Sequence, residues 1–258
     1  MGSSELKTVT QQAKPRLLVI HGWAMNSSVW EFVKEGLLQH YNVIWVDLPG
    51  HGKVEAVDKG HLDSWVDTMK PLIEQPCHIL AWSLGGLVAQ RLAQRFPQQV
   101  LSLILVAISP SFIQRKDWNQ AVEPKVLQGF ADNLRVDYHD TIKRFVALQF
   151  LGVKNYKDKI KPWLDNLLSH PAQLVSLQQG LNILALTDGR DYELKCPVLW
   201  LLGEKDRLVP HAVSKQLLAL GNHHHVQIIK GAGHAPFISY PDQFISIVNG
   251  FILNKESN

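Results

Sequence analysis

At 258 residues with 46% apolar side chains, the chain has the size and composition of one large α/β domain, or two small ones, around a sizeable core. A formal charge of +3 from 26 basic and 23 acidic residues does not argue for nucleic acid, and no arginine-rich aromatic module is present. Cys77 and Cys196 give no disulfide framework.

Met1 to Gln12 is polar and lacks the apolar core of a secretory signal; Leu6–Thr10 is a candidate short edge strand. Leu17–Ile20 is a continuous apolar run, as a buried parallel strand requires. It stops at His21-Gly22-Trp23, and Ser27 or Ser28 is placed to cap an amphipathic helix reaching Gln39. Val43–Val46 reads as a second strand, ending in the turn Asp47-Leu48-Pro49-Gly50-His51-Gly52, to which no chemistry is assigned. A helix over His61–Glu74 brings Leu62, Trp65, Val66, Met69 and Ile73 near one face. Pro76 breaks it before the strand Cys77–Trp82; a helix after Ser83 runs to Phe96, and Leu101–Ile108 is another buried strand. That run is far short of the roughly 18 apolar residues of a membrane span, so a cytoplasmic protein is expected.

From Ser109 to Arg190 the alternation breaks into helical periodicity, near Val122–Leu134, Tyr138–Leu151, Lys157–Leu168 and Ala172–Leu186. It then resumes with strands at Pro197–Leu202 and Val226–Ile229 and helices at Val209–Leu220 and Pro241–Leu253. The expected architecture is an α/β core, 1–110 and 190–258, around a mostly parallel sheet, with a helical insertion at 111–189. Inserted after a strand's C-terminal end, those helices lie where open parallel sheets bind ligands.

The stretch Ala81-Trp82-Ser83-Leu84-Gly85-Gly86 reads as strand, sharp turn, helix, with the serine at the apex. Ala81 stands where G-x-S-x-G has its first glycine, and the plain alternative is a turn without chemistry. A serine nucleophile needs a base, and the base an orienting carboxylate. The loops after the two later strands supply Asp206 and His234, in the chain order Ser, Asp, His of α/β-hydrolases. Glu204 competes with Asp206 for the acid role. Leu84, following the nucleophile, supplies one oxyanion amide; the loop after the first strand supplies the other, and Gly22 lets the backbone turn so that Trp23 N–H is the natural donor. A core tryptophan is the alternative for Trp23's side chain. His223-His224-His225 suits only weak adventitious metal binding, and no metal or cofactor is expected. Both cysteines read as buried structural thiols.

On these residues the chain resembles the α/β-hydrolase superfamily over nearly its whole length, and within it the pimeloyl-[acyl-carrier protein] methyl ester carboxylesterases of biotin biosynthesis. The segments Leu18-Val19-Ile20-His21-Gly22-Trp23, Trp82–Ala89 and Gly233–Ser239 carry the resemblance, with Val126–Phe130 and Arg144–Gln149 in the insertion. It implies an α/β-hydrolase fold of about seven or eight strands under a helical lid. It implies a serine carboxylesterase, working without a cofactor, that removes the methyl ester from a pimeloyl chain on acyl-carrier protein.

Substrate contacts carry over to Trp23, Ser83, Leu84, His234 and the segment Phe145, Val146, Ala147, Leu148 and Gln149. Arg144, Lys154, Lys157, Lys159 and Lys161 form a basic stretch matching the family's docking face for the acidic carrier, with a solvated helix face as the alternative reading. Asp140 falls where a basic residue would fit that face. A monomer is expected, with neither nucleic acid nor membrane as partner. A generalist short-chain esterase of the same fold and a non-catalytic small-ligand binding protein are the competing readings.

Overall fold

The computed structural model describes residues 13–149, 161, 164, 165 and 167–253. Six strands, β1 (Arg16–Ile20), β2 (Asn42–Val46), β3 (Cys77–Trp82), β4 (Val100–Val106), β5 (Val198–Gly203) and β6 (His224–Ile229), form one sheet in the order β2-β1-β3-β4-β5-β6. Every pairing is parallel. β3 and β5 are buried along their whole length, which is why both read as unbroken apolar runs. The described residues hold fewer strands than the family resemblance implies, and the candidate strand Leu6–Thr10 lies outside them. β6 begins two residues before the apolar run that marks it, because His224 and His225 pair with Val198 and Leu199.

The helices around the sheet are α1 (Lys34–His40), α2 (Leu62–Met69) and α3 (Leu84–Arg95), then α4 (Pro124–Val136), α5 (Tyr138–Gln149) and α6 (Leu174–Leu186) between β4 and β5. α7 (Ser214–Leu218), α8 (Pro236–Ser239) and α9 (Pro241–Leu253) follow. Three expected helices are divided, Val209–Leu220 among them, into a 3₁₀ turn over His211–Val213 and α7. The first opens as a 3₁₀ turn over Ser27–Val33, capped by Asn26 rather than by Ser27 or Ser28: the Asn26 side chain accepts from the Ser28 amide at 3.0 Å. The second stops at Met69 and continues as a 3₁₀ turn over Lys70–Ile73, since Pro71 has no N–H to extend the α-helical ladder. The expected helix Lys157–Leu168 falls largely outside the described residues.

The chain runs from β1 outward to β2, then returns past β1 to β3 and proceeds to the other edge. The order therefore reverses at the β1/β3 boundary, where open parallel sheets place their ligand crevice beyond the strand C-termini. Three non-glycine residues with positive φ lie just past those ends: Ala24 (60°) after β1, Ser83 (52°) after β3 and Ala107 (48°) after β4. The segment between β4 and β5 leaves and rejoins the sheet side at one neck, where Ser111 and Asp188 form an antiparallel bridge and the Gly189 amide donates to Pro110 O at 2.9 Å. Among the described residues no helix is long and apolar enough to cross a membrane.

Candidate active site

β3 delivers Ser83 to the crevice, and the backbone there turns sharply, with φ 52° and ψ −125°, before α3 begins at Leu84. The turn closes because α3 comes very near β1. A Cβ on Gly85 would collide with the His21 carbonyl oxygen and lie 2.9 Å from Ile20 Cγ2. Ala81, one residue inside the strand, is fully buried between Ile20 and Leu105 in the register, so its methyl group is accommodated in the sheet.

The loops after β5 and β6 bring their side chains to the same point. His234 Nε2 lies 3.1 Å from Ser83 Oγ, and His234 Nδ1 lies 2.8 Å from Asp206 Oδ2. The consistent tautomer has Nδ1–H donating to the carboxylate and Nε2 accepting from the serine hydroxyl. Ser83, Asp206 and His234 are all buried. Asp206 Oδ1 is already occupied, accepting from the Leu208 and Val209 amides at 2.8 and 3.0 Å, so the carboxylate cannot rotate away from the imidazole. Glu204 points elsewhere: its Oε2 accepts from the Gly231 amide at 2.8 Å, bracing the loop that carries His234. That arrangement can deprotonate a hydroxyl and shuttle its proton.

Trp82 contributes what its place in the motif did not announce. Its indole N–H donates to the His234 carbonyl oxygen at 2.8 Å, with the two rings 5.7 Å apart. On the other side of Ser83, α3 opens at Leu84, whose N–H is one of the helix's first donors and has no acceptor within the helix. Trp23 follows Gly22 in the loop after β1; its indole is buried and stands edge-on to Phe145, with ring centroids 4.7 Å apart.

Below that loop, His21 ties β1 to the turn after β2. Its Nδ1–H donates to Gly22 O at 2.7 Å, and its Nε2 accepts from the Leu48 amide at 2.9 Å. Burial lowers the His21 pKa to about 4 and that of His51, whose ring centroid is 5.2 Å away, to about 3. The turn Asp47–Gly52 is thus a support for the Trp23 loop, a role its composition alone did not reveal.

The remaining expected site residues divide. Phe145, Val146 and Gln149 are buried on α5, Ala147 is half-buried, and Leu148 lies on the same helix with its side chain outside the described residues. Arg144 is exposed and ion-paired with Asp140 one turn earlier, at 2.7 Å. Lys161 is exposed, while Lys154, Lys157 and Lys159 lie outside the described residues. Among the described residues no three His, Cys, Asp or Glu side chains are grouped to hold a metal ion. Cys77 and Cys196 are buried, and burial pushes the Cys77 thiol up to about 11, far from a reactive thiolate.

The sequence profile of the alpha/beta hydrolase fold matches residues 15–241. The chain belongs to the α/β-hydrolase family. It is 40% identical over 243 residues to the pimeloyl-[acyl-carrier protein] methyl ester esterase of Aeromonas salmonicida, covering 92% of this hydrolase and 95% of that protein. The esterase of the same name from Pseudoalteromonas atlantica is 37% identical over 246 residues, covering 93% and 95%. Among solved structures, the esterase from Exiguobacterium antarcticum superimposes with a TM-score of 0.84 at 21% identity, covering 93% of this hydrolase and 92% of that chain, a likeness of fold.

Proposed function

We propose that this hydrolase is a serine carboxylesterase that removes the methyl ester from a pimeloyl chain carried by acyl-carrier protein. The observation that carries the chemistry is the hydrogen-bonded line from Ser83 Oγ through His234 to Asp206, with spacings of 3.1 and 2.8 Å. The substrate rests on the names and near full-length similarity of the curated relatives. In the reaction, Ser83 Oγ attacks the ester carbonyl carbon while its proton passes to His234 Nε2. The oxyanion is held by the amides of Trp23 and Leu84. His234 returns the proton to the departing methoxide, releasing methanol and leaving an acyl-Ser83 ester. Water then adds with its proton taken by His234, and Ser83 departs with that proton, giving the free acid. Asp206 holds the imidazole in the required tautomer and stabilises its cation.

Residues 111–189 serve as the lid, with Phe145, Val146, Ala147, Leu148 and Gln149 along the acyl chain; the packing of Phe145 against Trp23 and the burial of Val146 support an apolar channel. Arg144 and the lysines at 154, 157, 159 and 161 face the acidic carrier, and the protein works as a cytoplasmic monomer. The test is to incubate the protein with methyl-pimeloyl-carrier and follow release of the free acid, with the corresponding butyryl methyl ester and p-nitrophenyl acetate as comparisons. Selective turnover of the carrier-linked pimeloyl ester is expected. Equal turnover of every ester points to a generalist esterase, and no turnover of any points to a binding protein. Ser83→Ala should abolish hydrolysis of all three; residual turnover at the parent rate would remove Ser83 as nucleophile.

A further inference from the structure

α6 carries a glycine in its interior, where glycine weakens a helix relative to alanine. Gly180 sits there because two side chains press against its backbone. A Cβ on Gly180 would lie 2.8 Å from Trp23 Cδ1 and 3.0 Å from Leu84 Cδ2. Those are the two residues whose amides face the oxyanion in the mechanism above, Trp23 from the loop after β1 and Leu84 from the first turn of α3. One turn earlier on the same helix, the Leu177 carbonyl accepts from the Trp23 indole N–H at 2.8 Å in a buried contact. Trp23 therefore has its ring seated on Gly180 and its ring nitrogen tethered to Leu177, while its main chain belongs to the core.

α6 is itself fixed to the core at its N-cap and within this contact. The Gln173 amide donates to Gly50 O at 2.8 Å, and Gln179 Nε2 donates to Val57 O at 2.9 Å. A movement of α6 along its axis would pull on the Trp23 indole, whose neighbouring amide is only a few bonds away. A displacement of well under an ångström matters there, because an oxyanion donor acts only within hydrogen-bond reach.

We propose that α6 positions the two oxyanion amides, through the bare backbone of Gly180 and the carbonyl of Leu177; this inference rests on the hydrolytic reading above. Gly180 is a positioning residue, since it touches neither the substrate nor the reacting atoms. The insertion thereby sets the rate of the chemical step as well as covering the site.

The experiment uses the full chain with Gly180→Ala, and with Trp23→Phe as a second variant that keeps an aromatic ring but loses the bond to Leu177. Steady-state hydrolysis of p-nitrophenyl acetate is measured beside inhibition by butylboronic acid, which takes Ser83 Oγ as a fourth ligand on boron and presents a negative oxygen to the hole. Gly180→Ala should lower kcat about tenfold or more with KM nearly unchanged, the signature of an interaction made in the transition state. Boronate affinity should weaken by a similar factor. Trp23→Phe should do the same to a lesser degree, and it decides the matter if Gly180→Ala does not fold. Parent kcat in both folded variants, or a rise in KM with kcat preserved, would overturn the inference. Ser83→Ala is run alongside: an inactive Ser83→Ala with parent-like Gly180→Ala removes only the positioning role, whereas an active Ser83→Ala removes the hydrolytic reading itself.

Discussion

Asp206 divides its two oxygens between two tasks, one accepting from the Leu208 and Val209 amides and the other facing His234. Asp206→Asn keeps the shape but offers an N–H donor or a poorer acceptor to Nδ1, favouring the wrong imidazole tautomer. A fall in kcat approaching 10⁴-fold is expected for p-nitrophenyl acetate, by analogy with the same change in serine proteases, with roughly parent KM. Glu204→Gln retains a side-chain oxygen for the Gly231 amide, and its kcat should stay within about threefold of the parent. The reverse ranking of the two variants would reassign the acid. From the sequence the two carboxylates were separable only by spacing; the structure separates them because the loop after β5 turns one side chain toward His234 and the other toward Gly231. Trp82 was legible as a motif position but not as the residue whose indole holds His234, since that bond joins positions 152 residues apart.

At the scale of elements, the strands were the most readable part, because burial on both faces writes itself as short apolar runs. The helix ends were less so. Pro71 stood in the sequence as the signal that divides the second helix, and Asn26 as a cap one residue ahead of the two serines considered. The contact between α6 and Trp23 had no local signal beyond a glycine inside a helical pattern, whose reason lies 157 residues away in the chain. On α5, Arg144 is neutralised by Asp140 one turn earlier, both on the solvent side. If α5 meets an acidic carrier, Asp140→Ala should release that cation and raise kcat/KM for the carrier-linked ester about twofold at low salt, with the gain fading at high salt. The small free ester should be unaffected. A gain shared by both substrates, or absent from both, would count against docking at this end of the helix.

For the whole molecule, the buried histidines set the acid limit. His21 and His51 hold their folded pKa values near 4 and 3 because burial disfavours the cation, whereas in the unfolded chain they titrate near 6.5. Between those values the unfolded state binds more protons than the folded state, so stability falls as pH falls from about 6.5 and the loss levels off near the folded values. By pH 5 the deficit is roughly 2 kcal/mol for each histidine. Urea unfolding at pH 7.5 and pH 5 should show that loss, with uptake of about two protons at His21 and His51 on unfolding near pH 5 and a further one at His224, which burial also holds near 4. Equal stability at both pH values would mean that neither ring stays neutral in the fold. The sequence holds twelve histidines, and composition distinguishes none of them. What selects these two is their packing under the Trp23 loop, which becomes visible only when β1 and the turn after β2 lie side by side.

Ala24, Ser83 and Ala107 share an unfavourable positive φ along one edge of the molecule, the rim beyond the strand C-termini. Each non-glycine residue so held costs about 1–3 kcal/mol, and that cost is recovered if this edge alone relaxes while the sheet stays paired. Warming should therefore disarm the protein before it melts it: esterase activity measured at temperature should decline ahead of the loss of far-ultraviolet circular dichroism, and return on cooling. Coincident curves would mean that the strained edge and the sheet give way together. The working temperature of such a protein is then bounded by three dihedral angles rather than by the size of its core.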